Sequence, residues 1–115
     1  ETDYLHATRY GKKTVGTNLS WLARPSVDIG GRTVLVVDDI YDEGHTLAAI
    51  CEYLKEAGAK KVYAAALLNK VHDRKVDYVP DFVGLDVEDR FVYGFGMDYQ
   101  GYFRNVDGIY AVKDM

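Results

Sequence analysis

The stretch Val34–Thr46, VLVVDDIYDEGHT, decides how this chain folds and where its chemistry sits. Four consecutive β-favouring residues, Val34–Val37, follow a Gly-Gly turn, which predicts a strand over Thr33–Val37 buried on both faces. Two adjacent carboxylates, Asp38 and Asp39, stand at its end and point to opposite sides if the strand continues through them. Further on, Leu47, Ile50, Cys51, Leu54 and Ala57 keep the i, i+3, i+4, i+7 spacing of one helix face. Glu52, Lys55 and Glu56 fall on the other side, and Gly58 is a natural stop. Val62–Leu68 reads as a second buried strand, which completes a β–α–β unit.

Between strand and helix, Asp42–Thr46 must turn sharply, and Gly44 permits backbone geometry that other residues resist. The amides of Glu43, Gly44, His45 and Thr46 can then converge on one anion. The helix starting near Thr46 adds its positive dipole end, and the Thr46 hydroxyl adds a donor, so a phosphomonoester is the natural guest. The GxxxxGK[ST] pattern of a Walker loop is absent. Asp38 and Asp39 are suited to vicinal hydroxyls or to Mg²⁺, a hard ion that prefers oxygen ligands. An isolated Asp pair at a strand end would serve turn chemistry or helix capping. A phosphate cradle three residues on favours the ligand-binding reading. His45 is expected to work through its amide with its side chain toward solvent, and His6 and His72 are spaced for no metal site. Cys51 lies on the helix core face as a small hydrophobe.

Outward from this unit, Asp3–Thr8 and Val15–Leu22 read as short strands around a polar loop, Arg9–Thr14. Pro25–Gly31 is a connector, and Asp81–Leu85, Phe91–Phe95 and Ile109–Val112 are further strand candidates. The alternation implies an α/β fold, a doubly wound, mostly parallel sheet with flanking helices. Ligands in such sheets bind beyond the carboxyl ends of the strands, where Asp38, Asp39 and Lys70 fall on one rim.

A length of 115 residues fits a single domain, 1–115, and a 48% hydrophobic composition with two prolines is that of ordinary globular protein. The net charge of -4 speaks against nucleic-acid or membrane-surface binding, which favours a basic face. One cysteine cannot form an internal disulfide and fits a reducing compartment. No apolar run approaches a membrane span and no signal-peptide pattern opens the chain, so a cytoplasmic location is expected. Ten tyrosines make aromatic packing heavy, with some available for subunit contacts.

VLVVDDIYDEGHT resembles the PRPP-binding signature of type I phosphoribosyltransferases: a hydrophobic run, two acids, then D-x-G-x-T. LLNK at Leu67–Lys70 and PDFVGLDVEDRFVYGFGMDYQGYFRN at Pro80–Asn105 are similar to the purine-binding region of hypoxanthine-guanine phosphoribosyltransferases. The opening DYLHATRYG resembles that family's flexible active-site loop. The resemblance implies purine salvage, with the phosphoribosyl group of PRPP moved to N9 of a 6-oxopurine, and Mg²⁺ as cofactor. Asp38 and Asp39 would hold the ribose hydroxyls, partly through Mg²⁺, and Asp42, Glu43, Gly44, His45 and Thr46 would grip the 5′-phosphate. Asp42 would be the general base or acid at purine N7, and Lys70 would donate to the 6-oxo group. Phe91 would stack on the base, the Val92 backbone would read its N1/N2 edge, and Ile40 and Asp98 would line the purine site. Asp98 would also bind a second Mg²⁺, Arg104 would hold the departing pyrophosphate, and Arg9 and Tyr10 would belong to the lid. A homo-oligomer, dimer or tetramer, is implied as well.

Members of that family carry a further N-terminal stretch with a core strand and a pyrophosphate loop, so the chain is expected to be a C-terminal portion of the full fold. By that expectation it is inactive or poorly stable alone. Two other readings compete. A regulator could keep the PRPP site and sense without catalysing, though Lys70, Phe91, Asp98 and Arg104 together argue for a complete nucleobase site. A response-regulator receiver would use VLVVDD as its acidic opening and Asp86 as phosphoacceptor, but it then needs a later Lys-Pro pair that is absent.

Overall fold

The computed structural model describes residues 1–9 and 19–114. Its centre is the expected β–α–β unit: β3 (Thr33–Tyr41), α1 (His45–Glu56) and β4 (Lys61–Lys70), preceded by a hairpin of β1 (His6–Arg9) and β2 (Leu19–Ala23). β5 (Phe82–Val87) adds a third parallel strand, so the sheet order is β3-β4-β5, with Val36 opposite Ala64 and Leu68 opposite Leu85. β6 (Val92–Tyr93) and β7 (Tyr110–Ala111) form a small antiparallel pair that frames the 94–109 loop.

β4 takes the middle position, and the face it turns toward α1 is made of small and aliphatic residues. Ala64 and Leu68 are fully inaccessible, and Ala66 nearly so. The small alanines let α1 lie close, and its buried stripe of Leu47, Ile50, Cys51 and Leu54 packs against Val36, Ala64 and Ala66. Each of the larger aliphatic side chains, the leucines, Ile50 and Val36, contributes roughly 1.5–3 kcal/mol when fully buried. Trp21 of β2 meets Tyr53 of α1 at 4.9 Å between ring centroids, which brings the hairpin into the same core. At the closed end, Gly31 N–H donates to the Gly58 carbonyl and Lys60 N–H to the Arg32 carbonyl, fixing the helix against both strands.

One expectation of burial fails. β3 is covered on one face only: Val36 is buried toward α1, while Leu35 is 54% and Val37 74% exposed on the other. Phe82, Val83 and Leu85 of β5 are exposed too. For β3 the reason is geometric, since α1 lies on one side of the sheet and no described helix lies on the other, whereas β5 is open on both faces. β3 also runs four residues past the expected end at Val37, so the acids Asp38 and Asp39 belong to the strand. The β6–β7 pair is shorter than the Phe91–Phe95 and Ile109–Val112 segments read from pattern, because turns take over at Gly94. Gly94 has φ 92°, and a Cβ there would sit 2.3 Å from the Gly108 carbonyl oxygen, so backbone passes backbone at that point. The expected strand start at Val15 and loop residues Tyr10–Thr14 lie outside the described residues.

Candidate functional site

The carboxyl ends of β3 and β4 open on the same rim. β3 stays extended through Asp38 and Asp39, and both carboxylates line the same trough. The Asp39 amide donates to Asp38 Oδ1 at 2.8 Å. Burial, then the side-chain hydrogen bond from Asp39, pushes the Asp38 carboxyl up to about 6. Tyr41, buried at 3%, ends the strand and anchors its phenol on the Tyr78 carbonyl.

The turn between β3 and α1 depends on Gly44. Its φ is 91°, in the left-handed region, and a Cβ would come within 2.9 Å of the Tyr41 ring and 3.2 Å of the Val76 side chain. Gly44 serves as N-cap without any side-chain cap, and the first helical bond runs from the Ala48 amide to its carbonyl. The amides of His45, Thr46 and Leu47 therefore have no acceptor within the helix, and no acidic residue sits in its first turn. This is a helix start suited to an anion. Val76 N–H donates to the Glu43 carbonyl at 2.9 Å and steadies the turn from outside.

Asp42 is held from two sides by residues at and just beyond the end of β4. Lys70 Nζ donates to its Oδ2 at 3.2 Å, and His72 Nε2 lies 2.6 Å from its Oδ1. Burial works to raise the Asp42 carboxyl, but the hydrogen bonds from His72 and Lys70, with the Lys70 charge, outweigh it and hold the group below the usual carboxylate range. Lys75 ties the same corner from beneath. Its ammonium donates to the carbonyls of Lys70 at 2.6 Å, Asp42 at 2.7 Å and Tyr41 at 3.4 Å, and lies 4.2 Å from the Tyr41 ring centroid. Desolvation lowers the Lys75 pKa. His72 and Lys75 are the functional neighbours that sequence pattern missed. Both are more than twenty-five residues from Asp42 along the chain.

The rest of the rim comes from the segment after β5. Phe91, 46% exposed, is braced edge-on by Tyr99 at 5.8 Å. Asp98 accepts from the Gly101 amide at 2.7 Å and pairs with Arg104 at 3.5 Å. An open trough of about 1220 Å³ runs along β3 and takes in most of these groups. Asp38, Asp39, Ile40, Asp42, Thr46, Lys70, Phe91, Val92, Asp98 and Arg104 all line it. Of the expected phosphate-loop residues, Glu43 and His45 do not line it, and Gly44 forms the turn itself. Tyr10 and the side chain of Arg9 lie outside what is described. Among the described residues, no three acids, histidines or cysteines converge as a ready-made metal cage.

Comparison with known proteins finds relatives along most of the chain. The family model described as "Phosphoribosyl transferase domain" matches residues 1–100. The chain is 39% identical over 114 residues to the hypoxanthine-guanine phosphoribosyltransferase of Aquifex aeolicus, covering 97% of this chain and 64% of that protein. It is 35% identical to the Bacillus subtilis protein of the same name, over 98% of this chain and 63% of that one. Its structure superposes on a hypoxanthine phosphoribosyltransferase from Staphylococcus aureus with a TM-score of 0.86 at 29% identity, covering 96% of this chain and 61% of that one. The chain thus spans less than two thirds of the length of these relatives. None of these matches is a signalling receiver, and Asp86, the phosphoacceptor of that reading, takes a hydrogen bond from Asn69 at 3.0 Å.

Proposed function

The chain belongs to the phosphoribosyltransferase domain family, and from that premise we propose that it serves purine salvage, moving the 5-phosphoribosyl group of PRPP to N9 of hypoxanthine or guanine and releasing pyrophosphate. One observation carries the reading. Lys70 Nζ, a donor, and Asp42 Oδ2, an acceptor, stand side by side at 3.2 Å. A 6-oxopurine presents the complementary pair on one edge, the 6-oxo acceptor beside an N7 position that bears a proton. Adenine offers an amino donor where Lys70 needs an acceptor, so the pair also supplies discrimination.

In this reading the turn at Gly44, the first-turn amides of α1 and the Thr46 hydroxyl hold the 5′-phosphate. Phe91 supports one face of the base, and Val92 offers backbone at its far edge. Before substrate arrives, Asp42 is shared between Lys70 and His72. As the 6-oxo group accepts from Lys70, the carboxylate loses part of one stabilising contact and its proton affinity rises. It then takes the N7 proton while N9 attacks the sugar carbon, general base catalysis worth roughly 10²–10⁴-fold. Arg104 lies on the same wall and meets the departing pyrophosphate once it leaves Asp98.

Mg²⁺ fits the donor chemistry of this rim. Asp38 and Asp39 are adjacent carboxylates in the trough, and Mg²⁺ is commonly held by one or two carboxylates with substrate oxygens and water completing its shell. Asp98 would hold a second ion. When bound, the metal neutralises charge developing on the leaving pyrophosphate. We place the protein in the cytoplasm as a homo-oligomer; among the described residues no helix is long and apolar enough to cross a membrane.

Steady-state assay of the intact protein with PRPP, Mg²⁺ and hypoxanthine tests the reading through Asp42→Asn. The expected result is a kcat loss of about 10²-fold or more with little change in KM for PRPP. Near-normal turnover in that variant would remove Asp42 from the role of base.

A further inference from the structure

The Asp42 carboxylate has a second partner whose geometry is more restrictive than that of Lys70. His72 is 4% exposed at its side chain, and both ring nitrogens are engaged. Nδ1 receives the backbone N–H of Arg74 at 3.0 Å, and Nε2 lies 2.6 Å from Asp42 Oδ1. A backbone amide can only donate, so Nδ1 must present a lone pair. The ring is then neutral with its proton on Nε2, and that proton points at Asp42. Arg74 is itself anchored, gripping Asp89 through both guanidinium nitrogens at 2.7 and 3.1 Å. Lys75 fastens the other end of the segment to the Asp42 and Lys70 carbonyls.

We propose that His72 is a positioning residue for the reaction, its neutral Nε2–H holding Asp42 Oδ1 so that Oδ2 stays turned toward Lys70 and the base. The assignment rests on Asp42 acting at purine N7 as described above. A carboxylate free to rotate would present either oxygen at varied angles, and proton transfer requires the acceptor within hydrogen-bond reach of N7. With Oδ1 committed to His72, only Oδ2 is available to substrate. The imidazole takes no proton in this scheme; the N7 proton goes to Oδ2, and the bond from C1 to pyrophosphate breaks as the bond to N9 forms.

Two measurements on the intact protein test this. In ¹⁵N NMR near pH 8, His72 is expected as the Nε2–H tautomer with an unprotonated Nδ1. An Nδ1–H tautomer would overturn the proposal. In the second, the Asp42 carboxyl carbon is followed by ¹³C NMR as pH is lowered, in native protein, His72→Leu and His72→Gln. His72→Leu should raise the Asp42 midpoint and lower kcat about tenfold or more, with KM for PRPP unchanged. His72→Gln, which keeps an N–H near the Nε2 position, should return both toward native values. An unchanged midpoint in folded His72→Leu, or a His72→Gln protein that behaves like His72→Leu, would assign His72 to packing alone. Absence of phosphoribosyl transfer in the native protein would contradict the functional reading, and the tautomer and the midpoint would still decide the positioning claim.

Discussion

Asp38 illustrates how a single ionised carboxylate can oppose folding. Its pKa is pushed from the ordinary 3.8 up to about 6 by burial first and by Asp39 second. The folded chain therefore holds this proton more tightly than the unfolded chain does. Its stabilising contribution is present in acid and is lost as pH rises from 3.8 through about 6. Asp38→Asn keeps an oxygen for the Asp39 amide and removes the charge. Thermal unfolding followed by circular dichroism should show a higher Tm than native at about pH 8 and little difference at about pH 4. An equal or lower Tm at the higher pH would contradict the assigned cause. The same scale shows what sequence can and cannot reveal. Asp38, Asp39, Asp42 and Gly44 are legible because their roles follow from order along thirteen residues. His72 and Lys75 are not, because their partners are reached only after β4 has been laid beside β3. A histidine with no metal-ligand spacing carries no local signal that it will meet an aspartate.

At the scale of elements, the β3 turn and α1 act as one device, and its critical points are Gly44 and Lys75. Gly44→Ala must place a methyl group against the Tyr41 ring and accept a φ of 91°. We expect a loss of roughly 1–3 kcal/mol by chemical denaturation, from backbone strain with displacement of Tyr41. A loss no greater than that of an exposed surface substitution would show that the turn relaxes freely. Lys75→Met keeps the stem over Tyr41 but strips three carbonyls of their donor. The expected cost is about 1–3 kcal/mol, and amide exchange near Asp42 and Lys70 should quicken. The β–α–β unit itself was readable from periodicity, as were the Gly58 stop and the parallel pairing. The length of β3 was not, since acids are poor strand formers and the apolar run ends at Val37. Ladder pairing of Asp38, Ile40 and Tyr41 with β4 extends the strand where composition would end it.

The whole molecule shows why burial is harder to read than direction. A run of apolar β residues predicts a strand covered twice, yet Leu35 and Val37 face outward because the only described helix lies on the opposite side. Val37→Thr retains strand preference on that face and should change stability by less than about 0.5 kcal/mol while reducing binding of a hydrophobic dye. A large loss of stability would mean that Val37 is covered in solution. The trough along β3 joins this face to the rim that carries Asp42 and Lys70, the donor–acceptor pair proposed to meet the base. The most direct test compares kcat/KM of the intact protein for hypoxanthine, guanine and adenine with PRPP and Mg²⁺. Phosphoribosyl transfer to the two 6-oxopurines is expected, with adenine poorer by about 10⁴-fold or more. Adenine turned over as well as hypoxanthine would contradict it.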